Sequence, residues 1–243
     1  MSVKKNISPL TTIAFDADDT LWENEQFFRL TQDRFAALLA DHSDPDHLGE
    51  RLLAAERRNL GHYGFGVKGF VLSMIETAIE VTEQRVPAAV IAELIAMGQE
   101  MLAHPIHLLD GADAITRALA KDYHLLLITK GDLLDQERKL AQSGLGDRFD
   151  GVEIVSDKTP RVYADLFARR GLDPARTLML GNSMKSDVVA PIDAGAWGVF
   201  VPHGTPWALE VAQAPTHHPR FRHIDSLRDL PLVLDEISTA QSR

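Results

Sequence analysis

The chain has 243 residues, a hydrophobic share of 45% and a formal net charge of −10, enough for one large or two small globular domains. The acidic balance excludes a broad basic face for nucleic acid, and no apolar run approaches the roughly 18 residues of a membrane helix. With no cysteine, disulfides, thiolate nucleophiles and Cys-ligated metals are excluded too.

The chain starts with Lys4 and Lys5 ahead of a short apolar stretch, which does not read as a signal peptide. The expectation is a soluble cytoplasmic protein without nucleic-acid or membrane partners, its oligomeric state left open. Residues 10–16 predict a first strand, built on Thr12-Ile13-Ala14-Phe15. Asp16-Ala17-Asp18-Asp19-Thr20 follows, with three carboxylates in four positions. Residues i and i+2 of an extended backbone project to one side, so Asp16 and Asp18 can converge. Their repulsion predicts a raised pKa for one of them unless a cation lies between. The plainer reading is an acidic turn that caps a helix.

Helical spacing then covers Glu23 to Ala40, Leu48 to Leu60, Phe70 to Val81, and Pro87 to about Ala103. The stretch Gly61-His62-Tyr63-Gly64-Phe65-Gly66-Val67-Lys68-Gly69 reads as a glycine-dense loop between the second and third helices. After His104-Pro105 the pattern changes. Strands are predicted at His124–Ile128, Val152–Val155, Thr177–Leu180, Trp197–Val201 and 221–224, each separated from the next by a turn or helix. The helices of this half are expected at 112–121, 132–143, 160–170, 185–194 (interrupted by Pro191) and 226–237, with fraying from Ser238.

These strands are unbroken apolar runs, the mark of a parallel sheet covered on both faces. The first strand needs that sheet as a partner, so residues 22–104 form an all-helical insertion. The expected domains are 1–21 with 105–243, and 22–104. Ligands bind outside the carboxyl ends of parallel strands. That edge would gather Asp16, Asp18, Thr129, Lys130, Lys158, Asn182 through Asp187, and His203. Carboxylates with an amide point to a hard cation such as Mg²⁺. A hydroxyl, an ammonium and helix N-termini point to phosphate. Together they point to phosphoryl transfer.

Four ordered segments resemble the motifs of the haloacid dehalogenase (HAD)-like hydrolase superfamily, most closely its phosphatases. They are Asp16-Ala17-Asp18-Asp19-Thr20, Leu126-Leu127-Ile128-Thr129, Lys158 before Thr159-Pro160, and Gly181-Asn182-Ser183-Met184-Lys185-Ser186-Asp187. The resemblance implies a Rossmann-like, doubly wound α/β core with an inserted helical cap of the first (C1) type. It implies Asp16 as nucleophile forming an aspartyl-phosphate, and Asp18 as acid and then base. It implies Thr129 and Lys158 as phosphate ligands, with Thr20 bracing the turn. Mg²⁺ would bind Asp16, the Asp18 carbonyl and Asp187. Asn182 stands where the family usually has Asp, so either Asp187 ligates the metal directly and Asn182 supports it without direct contact, which is the expectation, or metal affinity is lower.

The bland readings are a helix cap for Thr129, a neighbour turned away from the site for Lys130, exposed positions for Lys185 and His203, and a sheet-edge cover for Trp207. His62, Tyr63, Phe65 and Lys68 are the candidates for substrate contact. The implied function is Mg²⁺-dependent hydrolysis of a small phosphorylated metabolite, such as a nucleotide or sugar phosphate. Alternatives are a phosphomutase, a phosphonate hydrolase using Lys68 (the only lysine in residues 22–104), or a non-catalytic phosphometabolite-binding protein. The Asp18 carboxylate argues against the phosphonate route and against a haloacid dehalogenase.

Overall fold

The structure is a computed structural model that describes residues 10–240. Lys4, Lys5 and residues 241–243 lie outside the described part. Its centre is a six-stranded sheet of β1 (Thr12–Phe15), β2 (His124–Lys130), β3 (Gly151–Val155), β4 (Thr177–Gly181), β5 (Trp197–Phe200) and β6 (Phe221–His223). The strand order is β3-β2-β1-β4-β5-β6. β1 runs parallel to β2 and β4, β4 to β5, and β5 to β6. This is the doubly wound order, and it reverses at β1, where ligand crevices form in such sheets.

The unbroken apolar strands explain the central position of β1. All four of its residues are buried, as are all five of β4. Such strands need cover on both faces. One layer of that cover joins Ala14, Leu126, Ile128 and Met179 of the sheet to Tyr163, Leu166 and Phe167 of α7 (Pro160–Arg170). Local chemistry sets the ends of α7. Thr159 accepts a hydrogen bond from the Val162 amide, Pro160 opens the first turn, and Gly171 takes a left-handed conformation at the end.

The described residues cluster into two compact units. The first takes the residues up to Glu23, His107–Thr129 and those from Ser143 on, and holds most of the sheet. The second takes Asn24–Ile106 and Lys130–Gln142. It contains α1 (Glu25–Leu38), α2 (Pro45–Tyr63), α3 (Val67–Val81), α4 (Ala88–Ala103) and nearly all of α6 (Leu133–Ser143). Phe35, Leu39, Leu48, Leu52, Phe70, Met74, Leu94 and Met97 form its core. The chain enters and leaves the inserted block through antiparallel neighbours. The Glu23 amide donates to the His107 carbonyl, and the Leu109 amide to the Leu21 carbonyl.

Three local expectations are corrected. The glycine-dense loop is only three residues long: α2 continues to Tyr63 and α3 begins at Val67. Only Gly64 (φ 72°) and Gly66 (φ 119°) break the helices, because only they take left-handed backbone; Gly61 and Gly69 are helical. The 185–194 helix is instead a π-helical turn, Met184–Val189, followed by α8 (Ala190–Asp193). Pro191 sits in the first turn of α8, where a missing N–H costs nothing. Finally, the last helix, α9 (Leu230–Ala240), holds through Ser238, whose hydroxyl donates to the Leu234 carbonyl.

Candidate active site

The acidic turn is built from the end of β1. The Asp16 amide extends the ladder by donating to the Leu180 carbonyl of β4. The chain then folds back on Ala17, whose carbonyl accepts from the Thr20 and Leu21 amides. Asp19 adopts φ 57°, a left-handed state that Asp tolerates better than most residues, and its amide donates to the Trp22 carbonyl. The turn gives each carboxylate a separate partner. The Asp18 Oδ1 accepts from the buried indole Nε1 of Trp22 at 2.7 Å. The Asp16 Oδ2 accepts from the Thr20 hydroxyl at 3.1 Å.

Register brings the other motifs to this edge. Phe15 is level with Leu127 of β2 and Leu180 of β4. Thr129 and Asn182 therefore each lie two residues beyond a position paired with β1. Thr129 is buried there. Lys158 follows β3 and extends its ammonium between two carboxylates, 2.5 Å from Asp16 Oδ1 and 2.7 Å from Asp187 Oδ1. Asp187 reaches that point by passing over Gly181. A Cβ on Gly181 would lie 2.3 Å from Asp187 Oδ2, so only glycine leaves the path open. Asp187 Oδ2 accepts from the Ser183 amide at 2.9 Å. Thr20 is also tied to Asn182, whose amide N–H donates to the threonine hydroxyl at 3.2 Å.

Two carboxylates and one ammonium leave an excess negative charge in a buried place. Burial pushes the Asp16 carboxyl up to about 7 from 3.8; Lys158 opposes the rise, while Asp187 and Asp18 add to it. Burial works against the Lys158 ammonium, but Asp16 and Asp187 outweigh it and hold its pKa above the ordinary lysine value. The expectation of one raised carboxylate in the acidic turn is met at Asp16, even with a cation beside it. Its main cause is burial rather than repulsion from Asp18.

Asp16, Thr20, Lys158, Asn182 and Asp187 are thus joined by direct contacts, with Asp18 and Thr129 on adjoining turns of the same sheet edge. His203 Nε2 lies 3.9 Å from Asp19 Oδ1. Lys185 turns its ammonium to the Leu209 carbonyl at 3.2 Å. The inserted-block candidates occupy the second unit. His62 and Tyr63 end α2, and Lys68 lies in the first turn of α3. Lys68 faces Asp132: its amide donates to Oδ2 at 3.3 Å, and its Nζ is 3.4 Å from Oδ1. The Lys130 ammonium stands 3.9 Å from the centre of the Phe65 ring, so its partner is an aromatic face.

Sequence reasoning missed four contributors. Trp22 holds Asp18, and its i+4 spacing was the available signal. Ser183 had none beyond its place in the fourth motif. Tyr163 donates its hydroxyl to the Ser186 carbonyl at 3.0 Å, and burial raises its phenol pKa. Glu210 accepts from the Ser183 hydroxyl and lies in a segment with no regular element.

Known proteins resemble this chain in sequence and fold. A solved haloacid dehalogenase-like family hydrolase from Xanthomonas campestris is 38% identical, with a TM-score of 0.86 over 97% of this chain and 94% of that one. A glyceraldehyde 3-phosphate phosphatase of Methanothermobacter thermautotrophicus is 26% identical over 94% of this chain and 97% of its own length. The mouse N-acylneuraminate-9-phosphatase is 25% identical over 56% of this chain, and the match spans 55% of the mouse protein. Residues 10–195 match the haloacid dehalogenase-like hydrolase family as a whole, and the chain belongs to that family.

Proposed function

We propose that the protein is a Mg²⁺-dependent phosphomonoester hydrolase that works through an aspartyl-phosphate on Asp16. The observation that carries this reading is the buried Asp16–Lys158–Asp187 cluster at the end of β1. Phosphatase names among the relatives support the reaction class, and they favour a small sugar-type phosphate over a nucleotide.

The donor set fits a hard cation. Among the described residues no three Asp, Glu, His or Cys side chains form a metal-binding group. Mg²⁺ asks for less, usually one or two carboxylates with waters and substrate oxygens. Asp16 and Asp187 are two buried carboxylates converging on one point, with excess negative charge to offset. The Asp18 carbonyl and Asn182 are the further oxygens assigned to it. When bound, the ion would offset repulsion between the nucleophile and the phosphoryl group.

This chain's residues then divide the work. Asp16 attacks phosphorus while Asp18 protonates the leaving alcohol oxygen; Asp18 next takes a proton from the water that cleaves the aspartyl-phosphate. Trp22 orients Asp18 for both transfers, and Thr20 holds Asp16. Thr129 and Lys158 bind phosphoryl oxygens. Residues 22–104 are assigned as the cap, and His62, Tyr63, Phe65 and Lys68 as its substrate-facing candidates. The test is a phosphomonoester panel, with sugar phosphates and nucleoside monophosphates, assayed with Mg²⁺ and with EDTA. Mg²⁺-dependent release of phosphate supports the reading. Binding of a phosphomonoester without turnover would replace it with the non-catalytic alternative.

A further inference from the structure

The segment after β5, residues 201–220, contains no helix or strand, yet Leu209 and Glu210 are hydrogen-bonded to the fourth motif. The Ser183 hydroxyl donates to Glu210 Oε2 at 2.5 Å. The Lys185 amide donates to the Glu210 carbonyl at 3.3 Å, and the Lys185 ammonium to the Leu209 carbonyl at 3.2 Å. The side chain and main chain of one residue thus grip both ends of the Ser183–Lys185 step.

Ser183 is the hub of that step. Its hydroxyl accepts from the Ser186 amide at 3.0 Å while donating to Glu210. Its amide donates to Asp187 Oδ2 at 2.9 Å, and its carbonyl accepts from the Asp187 amide. A hydroxyl has one proton to give, so the Glu210 carboxylate fixes its direction and leaves a lone pair for Ser186. The backbone here is a π-helical turn, a rare geometry that needs outside support. The middle of the same turn is held by Tyr163, whose hydroxyl donates to the Ser186 carbonyl.

We infer that Glu210 is a positioning residue, which through Ser183 sets the Asp187 carboxylate against Lys158 and Asp16. The inference rests on the proposed metal-dependent reading of that site. Groups that orient a metal-binding side chain without touching the metal are worth about 10- to 100-fold in affinity or activity. An acceptor oxygen at position 210 carries the effect, because it takes the serine proton.

The test is Mn²⁺ binding followed by electron paramagnetic resonance, beside phosphomonoesterase assays, on the full-length protein. Glu210→Ala is expected to weaken Mn²⁺ about tenfold, with KM for the phosphomonoester changed less than twofold. Glu210→Gln, which keeps an acceptor, is expected to recover most of the affinity. Ser183→Ala should match Glu210→Ala, and the double variant should be no worse than either single one. Unchanged Mn²⁺ affinity in Glu210→Ala, or additive losses in the double variant, overturns the inference and leaves the proposed reaction standing. A wild-type protein that binds no Mn²⁺ overturns both. A lowered Tm with wild-type Mn²⁺ affinity also overturns it, since that is the behaviour of a contact that only holds the fold.

Discussion

The ammonium of Lys158 sits between the carboxylates of Asp16 and Asp187, 2.5 Å from one and 2.7 Å from the other. One residue from the turn after β1, one from the turn after β3 and one from the π-helical turn after β4 thus share a single buried charge cluster. The cluster is one positive charge short of neutral, and several measurable properties follow from that.

Removing the proposed nucleophile separates chemistry from stability. Asp16→Asn is expected to abolish turnover, and an appreciable residual rate with metal binding intact would show that Asp16 is not the nucleophile. The folded-state pKa of Asp16 lies above its unfolded value, so ionisation opposes folding. That cost is absent below 3.8, grows as the pH rises to about 7 and is full above it. In metal-free buffer at pH 8, Asp16→Asn should therefore melt at or above the wild-type temperature, with the advantage fading toward pH 5. A lower Tm at pH 8 would contradict this.

Mg²⁺ should stabilise the protein more at pH 8 than at pH 5.5. As the pH falls through about 7, Asp16 takes up a proton that the metal must displace. A thermal-shift titration at the two pH values measures the difference. Equal shifts would mean that the metal does not bind at Asp16.

Lys158→Met leaves two carboxylates facing each other without their shared cation. Breaking a buried pair from one side costs about 3–5 kcal/mol. A large drop in urea midpoint is expected, partly restored by Mg²⁺, together with loss of turnover. Restoration by Mg²⁺ is the informative part, and NaCl at equal ionic strength should not reproduce it.

Asp187 and Asn182 should rank clearly. Asp187→Ala removes a carboxylate of the cluster, whereas Asn182→Ala removes only a side-chain amide oxygen that accepts from the Thr20 hydroxyl at 3.3 Å. The first is expected to lower kcat/KM about 100-fold or more, the second about tenfold, in the range of losses seen around metal ligands. The reverse order would move the metal assignment to Asn182.

Trp22→Phe keeps the buried ring and deletes the indole N–H that donates to Asp18 at 2.7 Å. A fall in kcat of about tenfold with little change in KM is expected, since the hydrogen bond positions a proton-transfer group rather than substrate. An unchanged kcat would remove Trp22 from the mechanism.

The order of elements was legible because it depends on local pattern. Unbroken apolar runs mark strands buried on two faces, and Pro160 with Thr159 and Gly171 bracket α7 almost to the residue. The acidic turn and the strand ends were legible for the same reason, since parallel topology sends every strand's carboxyl end to one edge. Glycine spacing misled at 61–69. A positive φ breaks the helices only at Gly64 and Gly66; Gly61 stays helical, and Gly69 stays helical too, where a Cβ would lie 2.9 Å from the Gly64 carbonyl oxygen.

The sequence by itself determined the α/β class, the inserted helical block and the residue types gathered at the sheet edge. It could not decide which partner each of those residues takes. The pairing of Lys158 with both Asp16 and Asp187 spans 142 and 29 residues of chain. Such contacts have no local signature, because they form only when separate strands come into register. The raised Asp16 pKa is tertiary in the same sense: burial by the whole fold, more than the neighbouring Asp18, sets it. So is the grip of Glu210 on Ser183, made by a segment with no regular structure that the fold lays against the π-helical turn.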